Sequence, residues 1–63
     1  MRLKEYLEKL RRLGVPKDII IQTAEAAKWA YTYETLTRLV VRWLEERGLT
    51  YEAKRVRECL LQS

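Results

Sequence analysis

The sequence predicts an all-α protein of three helices, over about residues 2–13, 17–47 and 51–62, in a single domain, residues 1–63. Two observations support this fold class: apolar side chains recur at spacings of three and four residues, and both glycines of the chain follow such runs. The central helix would be roughly 46 Å long at 1.5 Å per residue. Because a chain of this size has a radius of gyration of only about 11 Å, we expect the helices to assemble as an intermolecular helical bundle.

The first helix is predicted from one apolar face, after which Gly14 stands where a left-handed C-terminal cap needs a residue without a β-carbon. The second helix begins near Pro16, because proline is favoured in a first helical turn. Asp18 then lies near the positive end of the helix dipole. The apolar face of the first helix consists of Leu3, Tyr6, Leu7, Leu10 and Leu13.

The long central helix is predicted because residues 17–47 contain neither glycine nor proline. Its apolar face changes sides near Tyr31, so the helix either breaks near Thr32, an N-cap candidate, or stays continuous and buries opposite faces against different partners. We expect the continuous helix. One stripe consists of Ile20, Ala24, Ala27 and Tyr31, and the other of Trp29, Tyr33, Leu36, Val40 and Trp43.

The last helix follows Gly48, which closes the central helix in the same way as Gly14 closes the first. Thr50 is expected to cap the N-terminus of a helix that folds back as an antiparallel hairpin. Its apolar face consists of Ala53, Val56, Cys59 and Leu60, and we expect Cys59 to be a small core residue.

Residues 39–58 resemble the LisH motif, a helical hairpin whose pattern is leucine-isoleucine, aromatic-leucine, glycine-aromatic, alanine and phenylalanine. The resemblance is carried by Leu39, Val40, Trp43, Leu44, Gly48, Leu49, Ala53 and Val56. It departs from the pattern in having leucine after the glycine and valine in place of phenylalanine. Similarity to that family implies dimerisation through the hairpin, with Trp43, Leu44, Leu49 and Val56 at the packing positions.

Composition bounds the compartment and the source of the protein. No apolar run is long enough for a signal peptide or a membrane span, so we expect a cytoplasmic protein without a membrane partner. The lone cysteine excludes an internal disulfide, which suits a reducing compartment. The chain has no asparagine and two glutamines, and this depletion of thermolabile amides is typical of a thermophilic source.

Catalytic chemistry is largely excluded. The chain has no histidine and its one serine is Ser63, so neither a Ser-His-Asp triad nor a Cys-His pair can form, and a histidine-cysteine zinc site is impossible. Two isolated glycines make no phosphate-binding loop. We therefore predict no enzyme, no catalytic residues, no metal site and no cofactor.

The function that we expect is a homo-oligomeric helical interaction module: an adaptor, a scaffold or an assembly subunit that binds itself and, in some settings, another protein. Hydrophobic residues make up 48% of the chain, which is more apolar surface than one small globule easily hides. The predicted dimer interface consists of Trp29, Tyr33, Leu36, Val40, Trp43 and Leu44.

The alternative is a small basic DNA-binding regulator. Thirteen basic residues against nine acidic ones give a net charge of +4, and residues 10–23 have the order helix, glycine turn, helix of a helix-turn-helix. An arginine-rich face of the central helix is a second candidate surface. The predicted nucleic-acid contacts are Arg11, Arg12, Lys17, Lys28, Arg38 and Arg42.

Overall fold

A computed structural model of the chain describes residues 2–61, which form four α-helices and no strand. The all-α class is confirmed, but the prediction of three helices with a long central one is wrong, because the chain leaves the helical path between residues 27 and 32. The helices are α1 (Leu3–Arg12), α2 (Lys17–Ala26), α3 (Tyr33–Glu46) and α4 (Thr50–Leu60). The pairs α1–α2 and α3–α4 are helical hairpins, and α2 also packs on α3.

The break between α2 and α3 uses neither glycine nor proline. The carbonyl oxygen of Ala26 accepts hydrogen bonds from the amides of Trp29 and Ala30, at 3.0 and 2.9 Å, which tightens and closes α2. Thr32 then adopts an extended backbone, φ −137° and ψ 157°, and its hydroxyl accepts a hydrogen bond from the amide of Thr35 at 3.1 Å. Thr32 is therefore the N-cap of α3. The break lets α2 and α3 bury different faces in one core.

Both glycines close a helix with the same arrangement. Gly14 has φ +90° and Gly48 has φ +77°, in the left-handed region that favours glycine. After α1, the amide of Val15 donates to the carbonyl of Leu10 at 3.1 Å, and after α3 the amide of Leu49 donates to the carbonyl of Leu44 at 2.9 Å. These are Schellman motifs, in which the residue after the glycine packs back onto the helix that has just ended.

One copy of the chain encloses its own core. The radius of gyration is 10.3 Å, close to the value of about 10.6 Å expected for a compact chain of this length. Because the predicted central helix is broken into α2 and α3, it does not overhang its neighbours. The length of that helix therefore no longer supports an intermolecular bundle. The core consists of Tyr6, Leu10, Val15, Ile19, Ala26, Leu36, Val40, Val41, Leu44, Ala53 and Val56.

Two smaller expectations for the last helix are also wrong. Cys59 is exposed rather than a core residue, because Ala53 and Val56 define the buried side of α4. Thr50 does not cap the helix, which begins at Thr50 itself with Leu49 in the cap position and no side-chain cap bond. The chain turns directly from the Gly48 motif into α4.

Candidate functional site

Most of the cations predicted to contact nucleic acid are held in ion pairs on the surface. Arg11 binds Glu8 at 3.1 Å, Lys28 binds Glu25 at 3.0 Å, Arg38 binds Glu34 at 3.0 Å and Arg42 approaches Glu46 at 3.4 Å. Arg12 and Lys17 are exposed and have no ion pair within residues 2–61. The six residues are spread over α1, α2, the turn that ends α2, and α3.

The α1–α2 hairpin also differs from a DNA-reading surface on its exposed side. Asp18, at the start of α2, is paired with Arg47 at the end of α3. The hydrogen bond from Arg47 is the main reason that the pKa of Asp18 is lowered. Ile21 is 56% exposed in the next turn. A recognition helix that presents a carboxylate and an isoleucine is poorly suited to DNA phosphates and base edges.

The residues predicted to form a dimer interface are divided between the core and the surface. Leu36, Val40 and Leu44 are buried inside the single chain. Tyr33 and Trp43 are half-buried against the same core, and Trp29 is 60% exposed. The structure therefore does not bring the six together on one accessible face. A dimer would have to use Trp29 and other exposed residues.

The most exposed aromatic side chain lies in the loop between α2 and α3. Tyr31 is 99% exposed, and Trp29 stands two residues before it in the same loop. Tyr51, on α4, is 66% exposed but carries the guanidinium of Arg55 over its ring at 5.7 Å. Tyr51 is thus partly covered by its own helix, whereas Tyr31 projects into solvent.

Next to this loop, two open cavities adjoin at Leu3. The first is lined by Leu3, Ala27, Ala30, Tyr31, Thr32, Tyr33 and Leu36. The second runs between the hairpin helices and is lined by Leu3, Lys4, Leu7, Glu8, Arg11 and Ile20. We call these two adjoining cavities, most of whose lining residues are apolar, the α1–α2 groove.

Part of the groove coincides with an apolar stripe that the sequence predicts. Ile20, Ala27 and Tyr31 belong to the first predicted stripe of the central helix, but α2 buries Ile19, Thr23 and Ala26 instead. The stripe therefore lies to one side of the buried face, toward the groove. Leu3 and Leu7 belong to the predicted apolar face of the first helix, and their partial exposure depends on how α2 packs against α1.

The lining of the groove is mostly apolar. Over residues 2–61 there is no group of three or more histidine, cysteine or acidic side chains that could hold a metal ion. In the same part of the chain, no helix is both long and apolar enough to cross a membrane. The groove walls are aliphatic and aromatic side chains, with charged groups only at the α1 edge.

No protein-family model matches the chain, and no curated protein or solved structure matches it either. The resemblance of residues 39–58 to the LisH motif therefore stays a prediction. The hairpin that it implies is formed by α3 and α4, with Leu44 and Val56 in the chain's own core and Trp43 and Leu49 half-buried beside it.

Proposed function

We propose that the protein is a non-catalytic helical interaction module whose binding surface is the α1–α2 groove. The observation that carries this proposal is the exposure of Tyr31 beside an apolar depression that the chain leaves uncovered. An exposed apolar patch next to a concave surface is typical of a protein-binding site.

Self-association, which the sequence predicts, is one form of this function. A second copy would then cover Tyr31 and Trp29, because Leu36, Val40 and Leu44 already serve the core of one chain. The DNA-binding alternative rests on the charge excess of +4. The ion pairs of Arg11, Lys28, Arg38 and Arg42 count against it, since paired cations release fewer counterions on binding phosphate.

The test is a selection of helical peptides from a displayed library on the immobilised full chain. We expect the enriched peptides to share apolar residues at i, i+3 or i+4, and i+7, the spacing by which a helix enters a groove. Each enriched peptide is then measured against the Ile20→Gln, Tyr31→Ala variant, whose changes lie in the two cavities of the groove. Binding should fall by about tenfold or more, which is a loss of roughly 1.4 kcal/mol.

The matched control is Tyr51→Ala, which removes an exposed tyrosine from α4, outside the residues that line the groove. It should leave peptide binding unchanged, and circular dichroism should show that both variants keep their helix content. Peptides that bind the groove variant as well as the unmutated chain would contradict the proposal. A salt-sensitive complex with duplex DNA in place of peptide binding would favour the DNA-binding alternative.

A further inference from the structure

We propose that the occupant of the α1–α2 groove is an amphipathic helix of another protein that carries acidic residues along the edges of its apolar face. This inference rests on the proposed function and adds the chemistry of the partner. Two independent features lead to it: the shape of the groove and the charges beside it.

The shape of the groove fits a helix better than an extended strand. Its α1 wall runs from Leu3 to Arg11, roughly 12 Å at 1.5 Å per residue, so it spans about two turns of a partner helix. Leu3 and Leu7 are four residues apart on α1, and Ile20 on α2 is seven residues before Ala27, in the turn that ends α2. These spacings leave ridges and gaps at helical intervals, into which side chains at i, i+3 or i+4, and i+7 can pack. No unpaired sheet edge is present within residues 2–61 to receive a strand.

The charges on the α1 side of the groove are mainly positive. Lys4 and Arg11 line it together with one carboxylate, Glu8, which accepts two hydrogen bonds of 3.1 Å from Arg11. The pKa of Glu8 is lowered by that hydrogen bond first, then by the charge of Arg11, with smaller contributions from Arg12 and Lys4. Glu8 is therefore already neutralised, and Lys4 has no ion pair among the described residues.

The α2 side also has one basic residue without an ion pair among the described residues, while the other charges near it are paired. Lys17 stands three and four residues before Ile20 and Ile21, which places it on the same face of the helix. It has no ion pair within residues 2–61, while Lys28 and Glu25 neutralise each other at 3.0 Å. Asp18 is also neutralised, by its ion pair with Arg47. Lys4, at the α1 edge of the groove, and Lys17, one helical turn before Ile20 on α2, are thus positive charges without an ion pair in the described part of the chain. Acidic flanks on a partner helix would complement them.

The same charges disfavour a second copy as the occupant. Two copies facing each other through this groove in a two-fold dimer would bring the cationic edges of one against those of the other. Like charges at short range oppose association. The partner that fits is therefore a different chain with opposite charge.

The experiment titrates the isotope-labelled full chain with two synthetic helical peptides of about 15 residues, a length at which a helix becomes marginally stable. Both have leucines on one face; glutamates flank that face in the acidic peptide, and lysines flank it in the basic peptide. Changes in the amide chemical shifts, measured by NMR, map the binding site. Following these changes through the titration gives the Kd of each peptide. We expect the groove amides to shift with the acidic peptide, and the basic peptide to bind about tenfold or more weakly.

Charge reversal tests the assignment to these two lysines. In the Lys4→Glu, Lys17→Glu variant the preference should invert, so that the basic peptide binds more tightly. The control variant, Lys9→Glu with Lys54→Glu, makes the same change in net charge at exposed positions that do not line the groove. It should keep the preference for the acidic peptide, which separates a local effect from the overall charge.

The outcomes separate the two proposals. Equal affinity for both peptides, or a preference unaltered by the reversal at Lys4 and Lys17, would overturn the acidic partner while leaving the groove as a binding surface. Peptide-induced shifts confined to residues outside the groove, or no shifts at all, would overturn both. A third outcome is that the chemical shifts of the groove amides change with protein concentration before any peptide is added. That result would overturn the acidic partner in favour of a second copy.

Discussion

The phenolic hydroxyl of Tyr6 on α1 is hydrogen-bonded to the hydroxyl of Thr37 on α3, across the buried centre of the fold. Thr37 donates its one hydroxyl proton to the carbonyl oxygen of Tyr33 at 2.7 Å. Tyr6 must therefore be the donor to Thr37. The rings of Tyr6 and Tyr33 also lie 4.9 Å apart between centroids. This chain of hydrogen bonds joins the first hairpin to the second in a core that is otherwise mostly aliphatic.

The two ends of this contact should differ in their effect on stability. Tyr6→Phe removes a donor and should lower the free energy of unfolding by about 1 kcal/mol, whereas Thr37→Val leaves the Tyr6 hydroxyl buried without an acceptor and should cost about 1–3 kcal/mol. In a Tyr6→Phe background, Thr37→Val should cost less, because no donor is left unpaired. Urea unfolding of the four proteins measures the coupling. Additive effects would show that the two hydroxyls do not interact in solution.

Burial of Tyr6 should also make the fold sensitive to alkali. Burial is the main cause that raises the pKa of Tyr6, and Tyr33 adds a smaller rise. Because the pKa is higher in the folded chain, the unfolded chain loses this proton first, and stability falls as pH rises above about 10. The unmutated protein should therefore lose stability more steeply than Tyr6→Phe in thermal unfolding above that pH. Parallel curves for the two proteins would contradict the assignment.

The glycine caps should be required by backbone geometry alone. At Gly48 an added β-carbon would meet nothing within 4 Å, so Gly48→Ala should cost about 1 kcal/mol purely from its positive φ. Gly48→Asn should cost less, since asparagine tolerates this conformation better. Gly14→Ala should behave alike, because its nearest contact, the Cγ of Glu52 at 3.6 Å, is an ordinary one. Alanine variants as stable as the glycine forms would show that these helices end differently.

The N-cap of α3 has a natural control within the chain. The triplet Thr-Tyr-Glu occurs twice, at residues 32–34 and 50–52, but only the first threonine caps a helix with its side chain. Thr32→Ala should lower the free energy of unfolding by about 1 kcal/mol, and Thr32→Ser should restore most of it. Thr50→Ala should change stability by no more than about 0.5 kcal/mol. Equal losses at the two positions in urea unfolding would contradict the helix boundaries.

The helix ends that could be predicted are those marked by residue types with one conformational role. Gly14 and Gly48 both lie at positive φ after a helix, as their positions in the sequence predict. Pro16 immediately precedes α2. These signals are local, since they depend on the backbone conformation of the residue itself, and no tertiary contact is needed to interpret them.

Local helix propensity does not predict the break between α2 and α3, because residues 27–32 contain neither glycine nor proline. The change of apolar face at Tyr31 and the N-cap candidate Thr32 were both visible in the sequence, but they were compatible with a continuous helix. Packing decides between the alternatives: a bent chain buries Ile19 and Leu36 in one core, a benefit that summed propensities do not contain.

The candidate site was harder to predict than the fold for the same reason. Tyr31 was assigned to a helical stripe, whereas it lies in a loop and is almost fully exposed. Nothing in the sequence distinguishes Lys4 from the other surface lysines, because its place beside the groove depends on how α1 packs on α2. Ion pairs at helical spacing are ambiguous for the same reason: Glu34 binds Arg38, four residues later, whereas Glu8 binds Arg11, three residues later, and not Arg12.

The central claim is that the groove and the adjoining loop are open in the free protein and are covered by an acidic helix. Acrylamide quenching of Trp29 in the single-tryptophan variant Trp43→Phe tests it most directly, because Trp29 lies in the loop between Ala27 and Ala30, which line the groove. The fluorescence of Trp29 should be readily quenched at every protein concentration and become protected when the acidic peptide is added. Protection that appears without peptide and increases with protein concentration, or quenching that the peptide leaves unchanged, would contradict the claim.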